Sequence, residues 1–153
     1  MNYDSREDTK KHFSRVYELL YDFADKLKSR ANLHDRSKMK TPEKELFDEF
    51  TPKLANSTYG SDEYKEMLKG LKPTLDHHYL YNSHHPEHYD NGIDGMNLLD
   101  LVEMFYDWKA ASERHKNGDI IKSIEINKVR FNISDQLVSI LNNTANQLKE
   151  EQK

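Results

Sequence analysis

The chain has 153 residues, which is long enough to bury a core as one domain. Its formal net charge is −4, and 33% of its residues are charged. Five glycines, four prolines and no cysteine exclude a β-sandwich, a barrel, a collagen-like repeat and a disulfide scaffold. A mildly acidic chain without a dense lysine or arginine tract is not a generic nucleic-acid binder.

Leucine outnumbers the β-branched aliphatic residues, with 16 leucines against 11 valines and isoleucines, and this favours helix over strand. After a cap at Asp8-Thr9, apolar residues recur at spacings of three and four, which predicts an amphipathic helix over residues 9–30. Thr41-Pro42-Glu43 combines a cap, a proline at the first helical position and an acid in the first turn. It predicts a second helix that stops near Pro52.

Ser61 or Asp62 is expected to cap a third helix, after a loop over 56–60. Pro73 should kink or restart it, and the restarted segment should run from residue 74 to about 82.

The strongest helical pattern covers residues 97–116 and ends at Asn117-Gly118. Two further helices are predicted over 120–131 and 134–149, with a frayed tail at 150–153. The sequence thus predicts an all-α, single-domain bundle of six or seven helices over residues 1–153.

No apolar segment indicates export or a membrane. Residues 1–11 are polar and lack a signal-peptide core, and no stretch approaches the ~18 apolar residues that a membrane span needs. The absence of cysteine also excludes a thiol nucleophile and a cysteine-ligated zinc site. These features predict a cytoplasmic protein with no membrane partner.

The first segment with chemical potential is Leu33-His34-Asp35-Arg36-Ser37-Lys38. A His-Asp pair can place an imidazole and a carboxylate on one metal ion, and the carboxylate can bridge two ions. Lys38 follows Asp35 by about one helical turn, and it can neutralise a phosphate oxygen. The alternative interpretation is a polar helix end followed by a loop.

The second is a histidine cluster, because five of the eight histidines fall within twelve residues: His77, His78, His84, His85 and His88. Adjacent helical residues point about 100° apart, so one of His77 and His78 at most faces a given site. His85 precedes Pro86, so residues 84–95 are predicted to form an ordered loop. Neutral imidazole is a common metal ligand, and the alternative is a solvated polar surface.

The third is an acidic stripe, because Asp100, Glu103 and Asp107 fall on one face of the strongest helix. One of them is a candidate last ligand, and the alternative is a solvated acidic face. Together the three segments offer nitrogen and oxygen ligands for one or two divalent ions.

These residues resemble the HD superfamily of metal-dependent phosphohydrolases. The segment from Leu33 to Pro42 looks like the signature of its HD-GYP branch, and His84-His85 looks like that branch's paired-histidine segment. Residues 103–107 resemble the segment with the last metal aspartate, and His12-x-x-Arg15-Val16 resembles the segment with the first metal histidine. The whole chain also resembles a family of small bacterial and phage proteins with an HD-like signature.

The resemblance implies an HD-like all-α fold and a set of metal ligands. These are His34, Asp35, His78 (less readily His77), His84, His85, Asp107 and, as the weakest candidate, His12. It also implies that Lys38 contacts substrate phosphate. A straight helix over residues 9–30 would separate His12 from the His34 site unless that helix bends or breaks.

The leading hypothesis is a metal-dependent phosphohydrolase acting on a nucleotide or another small phosphoester, with Asp35 and Lys38 as catalytic residues and with Arg36 and Arg114 as further phosphate contacts. The metal could be Fe, Mn, Zn, Co or Mg. The alternatives are an HD-fold di-iron oxygenase and a non-catalytic protein that sequesters a nucleotide. A homodimer could form through Ile120, Ile121, Ile124 and Val129, although core packing is the favoured role of these residues.

Overall fold

The computed structural model describes residues 3–55, 62–114 and 118–151, and these ranges contain helices and no β-strand. Their six α-helices confirm the all-α prediction. They are α1 (Arg6–Leu33), α2 (Glu43–Ala55), α3 (Asp62–Tyr81), α4 (Leu98–Glu113), α5 (Ile120–Phe131) and α6 (Asp135–Glu151). Three short 3-10 helices lie between them, at Arg36–Met39, Pro86–His88 and Gly92–Gly95. No helix in the described ranges is long and apolar enough to cross a membrane.

The chain divides into two compact units, Met1–His34 and Asp35–Lys153. In the first, α1 runs unbroken for 28 residues and extends three residues beyond each predicted end. The helix contains neither glycine nor proline, and ion pairs such as Lys26–Asp22 connect successive turns of its surface. The prediction of one domain over residues 1–153 stays a prediction.

In the second unit α2 packs against α3, and both helices pass through a proline. α2 ends at Ala55, three residues after Pro52, and α3 runs through Pro73 without a restart. The predicted restart is therefore wrong, and the alternative of a kink at Pro73 stays a prediction. A proline removes one backbone donor, and the contact between the helices outweighs that local loss. The loop predicted over residues 56–60 and the cap at Ser61 lie outside the described residues.

The contact between α2 and α3 depends on a glycine. A Cβ atom at Gly70 would lie 2.7 Å from Cζ of Phe50, which is too close for any other residue without movement of the ring. The Phe50 ring of α2 therefore packs directly against the backbone of α3.

The main hydrophobic core lies where α5 packs against α4 and α6. Its buried members are Phe105, Ile120, Ile124, Leu141 and Ala145. The bounds of α5 match the prediction, α6 begins one residue later than predicted, and α4 ends at Glu113. The predicted stop at Asn117 lies outside the described residues.

The aliphatic residues considered for a dimer contact differ in burial. Ile120 and Ile124 are buried inside it, whereas Val129 is 84% exposed. Core packing is therefore the role of the two buried isoleucines, and the homodimer stays a prediction.

Replacing Ile124 by alanine is expected to lower the free energy of unfolding by about 2–5 kcal/mol, because the change leaves a cavity among α4, α5 and α6. Val129→Ala on the same helix is the matched control and is expected to change it by less than about 0.5 kcal/mol. Urea unfolding followed by circular dichroism measures both. Equal losses in the two variants would contradict this placement of the core.

Candidate metal centre

Four side chains of the second unit bring potential metal-ligating atoms together. One such atom from each of Asp35, His78, His84 and His85 lies within 4.8 Å of the others, and we call these residues the four-residue cluster. Nε2 of His78 lies 2.9 Å from Nε2 of His85 and 3.2 Å from Oδ1 of Asp35. Nε2 of His84 lies 3.6 Å from the same carboxylate oxygen. His78 and His84 are buried, and the other two residues are half-buried.

Asp35 occupies a left-handed backbone conformation just before the Arg36–Met39 helix, with φ 55° and ψ 14°. Aspartate tolerates this region better than most residues with a side chain, yet the conformation still costs on the order of 1 kcal/mol. Oδ2 of Asp35 accepts a hydrogen bond of 2.6 Å from Nζ of Lys38, while Oδ1 faces the histidines. The Lys38 ammonium also lies 5.3 Å from the centroid of the Phe47 ring. The strained aspartate thus meets the histidines on one side and a lysine on the other.

A buried glutamate lies behind the His78 ring. Oε2 of Glu43, which is fully buried at the start of α2, lies 2.9 Å from Nδ1 of His78 and accepts a hydrogen bond from the Ser37 hydroxyl. Oε1 of Glu43 lies 2.7 Å from Nδ1 of His77. Asn82 completes the network by donating to Ser37 Oγ and to the carbonyl oxygen of His78. Both carboxylate oxygens of Glu43 therefore hold α3 against the first turn of α2.

The loop between α3 and α4, which carries the adjacent histidines, is anchored on Asp100. This fully buried carboxylate accepts hydrogen bonds from Ser83 Oγ at 2.7 Å, Tyr89 OH at 2.8 Å and the backbone N–H of Asn97 at 3.0 Å. The last of these closes a capping box at the start of α4. One carboxylate therefore caps the helix and fixes the loop, whose two 3-10 helices confirm that it is ordered.

Glu103 lies about one turn after Asp100 on α4 and contacts His84. Its Oε1 lies 3.1 Å from Nδ1 of His84, so His84 repeats the arrangement of His78, with a glutamate at Nδ1 and Asp35 facing Nε2. A carboxylate at one ring nitrogen favours a proton there and leaves the other nitrogen as an electron-pair donor.

Two groups near the cluster have shifted pKa values. Burial raises the pKa of Glu43, but hydrogen bonds from His77, Ser37 and His78 outweigh burial and hold it below its ordinary value. The pKa of His85 is lowered to about 3, first by burial and then by the neighbouring imidazoles, while Asp107 and Asp35 oppose the shift. His85 is therefore neutral at pH 7, which is the protonation state that binds metals.

The spacing and chemistry of the cluster fit a metal ion. Two ligands about 2.1 Å from one ion lie about 3.0 Å apart at a right angle and about 3.4 Å apart at the tetrahedral angle. The observed separations of 2.9, 3.2 and 3.6 Å fall close to these values. Imidazole and carboxylate ligands suit borderline divalent ions such as Zn, Fe, Mn and Co. These side chains can therefore hold a metal ion.

Comparison with protein-family models matches residues 1–147 to a family described as "Family of unknown function (DUF5662)". The chain belongs to this family. No curated protein and no solved structure gives a significant match. Membership of DUF5662 brings no activity with it, so a function can be inferred only from the residues of the site.

Within the second unit, the structure brings four of the predicted ligands together and settles which of the adjacent histidines joins them. His78 belongs to the four-residue cluster, whereas His77 does not. Both histidines contact Glu43. Asp107 on α4 is half-buried and close enough to His85 to affect its pKa. Asp107 stays a predicted ligand.

His12 and His34 both lie in the first unit. His34 is the half-buried C-cap of α1, and His12 is exposed in the second turn of that helix. They are 22 positions apart, which corresponds to roughly 33 Å along an α-helix. Because α1 does not break, these two histidines do not share a site within this unit.

The predicted phosphate contacts lie at two places in the second unit. Arg36 is the exposed first residue of the Arg36–Met39 helix, beside the Lys38–Asp35 ion pair, and Arg114 is the exposed C-cap of α4. Their roles stay predictions.

Nδ1 of His88 donates to the carbonyl oxygen of Tyr79, and His115 lies outside the described residues.

Glu43 was predicted only as an acid in a first helical turn, not as part of the site. Its position directly after the Leu33–Pro42 segment was a sequence signal, but its histidine partners lie 34 and 35 positions away. Asp100 was an open alternative for the last ligand, and its carboxylate oxygens hold the loop and the helix cap.

The metal-free protein is expected to lose stability as the pH falls below 6.5. The pKa of His85 is about 3 when folded and near 6.5 when unfolded, so between these values the unfolded state binds more protons. The contribution of His85 to the free energy of unfolding is complete above about pH 6.5. At pH 5 the loss of this contribution is on the order of 1–2 kcal/mol. Urea unfolding at several pH values measures the slope.

His85→Asn should flatten this pH slope, while His88→Asn, which removes a histidine of the same loop outside the cluster, should retain it. A flat wild-type profile between pH 7 and pH 5, or a slope that His85→Asn leaves unchanged, would show that His85 is not buried in neutral form.

Proposed function

We propose that this protein is a metal-dependent phosphohydrolase that cleaves a phosphoester in a nucleotide or another small molecule. The observation that carries the proposal is a lysine beside the four-residue cluster, whose side chains can hold a metal ion. Nζ of Lys38 lies 2.6 Å from Oδ2 of Asp35, and the lysine side chain is 35% exposed. A cation accessible to substrate and a set of ligands for a divalent ion both favour phosphoester hydrolysis, because each can offset the negative charge that develops on the phosphoryl group.

The four-residue cluster would hold the ion, and Asp107 is proposed as a further ligand on α4. His34 enters the proposal from the sequence, because it directly precedes Asp35 and the HD-like signature implies both residues. The proposal allows one or two ions and includes Fe, Mn, Zn, Co and Mg.

A divalent ion in such a site supplies Lewis acidity, which makes a water molecule more acidic and polarises a phosphoryl oxygen. Asp35 has two functions, because Oδ1 faces the histidines and Oδ2 fixes the Lys38 ammonium. The Lys38 ammonium offsets negative charge on a phosphate oxygen in the transition state. Arg36, on the same short helix, and Arg114 are the further proposed phosphate contacts.

The resemblance to the HD superfamily supports this proposal, since its signature includes both Asp35 and Lys38 and its fold is all-α. A cytoplasmic location and a small-molecule substrate belong to the same proposal. The carboxylates that surround the histidines, from Glu43 on α2 to Glu103 on α4, also favour a bound cation electrostatically.

Purified protein loaded in turn with each of the five metals should hydrolyse at least one member of a nucleotide and cyclic-nucleotide panel. Asp35→Asn should reduce kcat/KM by more than about 100-fold. Loss of a residue that hydrogen-bonds to a metal ligand already costs about 10–100-fold, and loss of a ligand itself should cost more. Lys38→Gln should reduce it by about 100-fold. Asp48→Asn is the matched control, because this exposed aspartate of α2 pairs only with Lys44 among the contacts of the described residues.

Absence of turnover with every metal, or turnover unchanged in the His34→Ala, Asp35→Ala double variant, would reject the phosphohydrolase. Elemental analysis, spectroscopy of the metal and analysis of retained nucleotide separate the two alternative functions. A coloured centre with two irons and a Mössbauer signal would favour the oxygenase, and retention of unaltered nucleotide without turnover would favour a sequestering protein.

A further inference from the structure

We propose that Glu43 is a positioning residue whose buried carboxylate holds His78 with its Nδ1 protonated and its Nε2 turned toward the four-residue cluster. The inference rests on the proposed metal site and concerns a residue outside its ligand set. Glu43 would act through His78, without touching metal or substrate.

The two edges of the His78 ring face different groups. Nδ1 lies 2.9 Å from Oε2 of Glu43. Nε2 lies 3.2 Å from Asp35 Oδ1 and 2.9 Å from Nε2 of His85. A carboxylate only accepts hydrogen bonds, so the proton at the Glu43 edge belongs to Nδ1. The electron pair is then on Nε2, at the edge where the other ligand atoms meet.

Two other polar groups approach Nδ1, and their hydrogens have other acceptors. Nδ2 of Asn82 lies 3.0 Å from Nδ1, and Oγ of Ser37 lies 3.2 Å from it. The two amide hydrogens of Asn82 point to the carbonyl oxygen of His78 at 2.7 Å and to Ser37 Oγ at 2.9 Å. The Ser37 hydroxyl donates to Glu43 Oε2 at 2.9 Å. This assignment uses every hydrogen once and leaves the Nδ1 proton for Glu43.

The opposite tautomer is unfavourable in this environment. It would place the Nδ1 electron pair 2.9 Å from a carboxylate that is fully buried, where no solvent screens the repulsion. The carboxylate also has little freedom to turn away, because its second oxygen lies 2.7 Å from Nδ1 of His77. Glu43 is thus fixed by two histidines of α3 and by a serine of the Arg36–Met39 helix.

The position of Glu43 at the start of α2 makes the orientation of His78 depend on helix packing. α2 contacts both α3 and the Arg36–Met39 helix, which directly follows Asp35. Outer partners of this kind set the ring orientation and raise the basicity of a metal-binding imidazole, and their loss weakens metal binding by about 10–100-fold.

The test compares wild type with Glu43→Gln, which keeps the size of the side chain and removes its charge. Zn²⁺ and Mn²⁺ are the probes, and their affinities are measured by competition with a chelator. Glu43→Gln should weaken binding by about 10–100-fold. Glu49→Gln is the matched control on α2, since Glu49 is exposed and pairs with Lys53, and its affinities should stay within about twofold of wild type.

Long-range ¹H–¹⁵N spectra of the metal-free protein give a second readout, which a merely structural role would not change. The wild type should show His78 with a proton on Nδ1, and Glu43→Gln should shift the ring toward the Nε2-protonated form. A wild-type His78 protonated on Nε2 would overturn the inference. Because this measurement uses the wild type, it tests the inference even if Glu43→Gln does not fold.

The two proposals fail in different ways. Metal binding by the wild type that Glu43→Gln leaves equal, with the same tautomer, would overturn the role of Glu43 and leave the proposed function standing. No binding of either metal by the wild type would overturn the proposed metal site and this inference with it.

Discussion

The meeting of His78 and His84 near one carboxylate of Asp35 depends on the glutamates behind their rings. Glu43 contacts the Nδ1 edge of His78, and Glu103 contacts the same edge of His84. In both cases the opposite ring nitrogen faces Asp35. Both histidines and Glu43 are buried, and buried polar groups are stable only when they are paired, so the glutamates satisfy the histidines and orient them at the same time.

The second unit separates the parts that supply stability from those that supply chemistry, and α4 belongs to both. Phe105 of α4 packs into the apolar core with α5 and α6. Asp100 and Glu103 of the same helix fix the histidine loop and contact His84. The hydrophobic core therefore determines where the acidic face of α4 lies, and this face in turn determines where the loop can present its histidines.

The site also contains local conformations that are unfavourable by themselves. Asp35 has a positive φ, and half-buried His85 is held beside other imidazoles, where burial and these neighbours lower its pKa. Strain of this kind persists only where the surrounding contacts compensate for it, and it is concentrated at functional sites. In this unit the compensating contacts include the Lys38–Asp35 ion pair and the hydrogen bonds of Glu43 and Asp100.

The sequence by itself determined the helical class, the bounds of α5 and, to within three residues, those of α1, α4 and α6. It also determined the ordered loop and the identity of the clustered histidines. These features depend on local periodicity, capping residues and residue type, which are all encoded within a few positions. The predicted restart at Pro73 was wrong, because packing between α2 and α3 outweighed a local preference. Only the tertiary structure decided that His78 rather than His77 joins Asp35, and that Glu43 and Asp100 lie behind the site. Those pairings join residues up to 43 positions apart, from Asp35 to His78, and they follow from how helices pack rather than from any spacing along the chain.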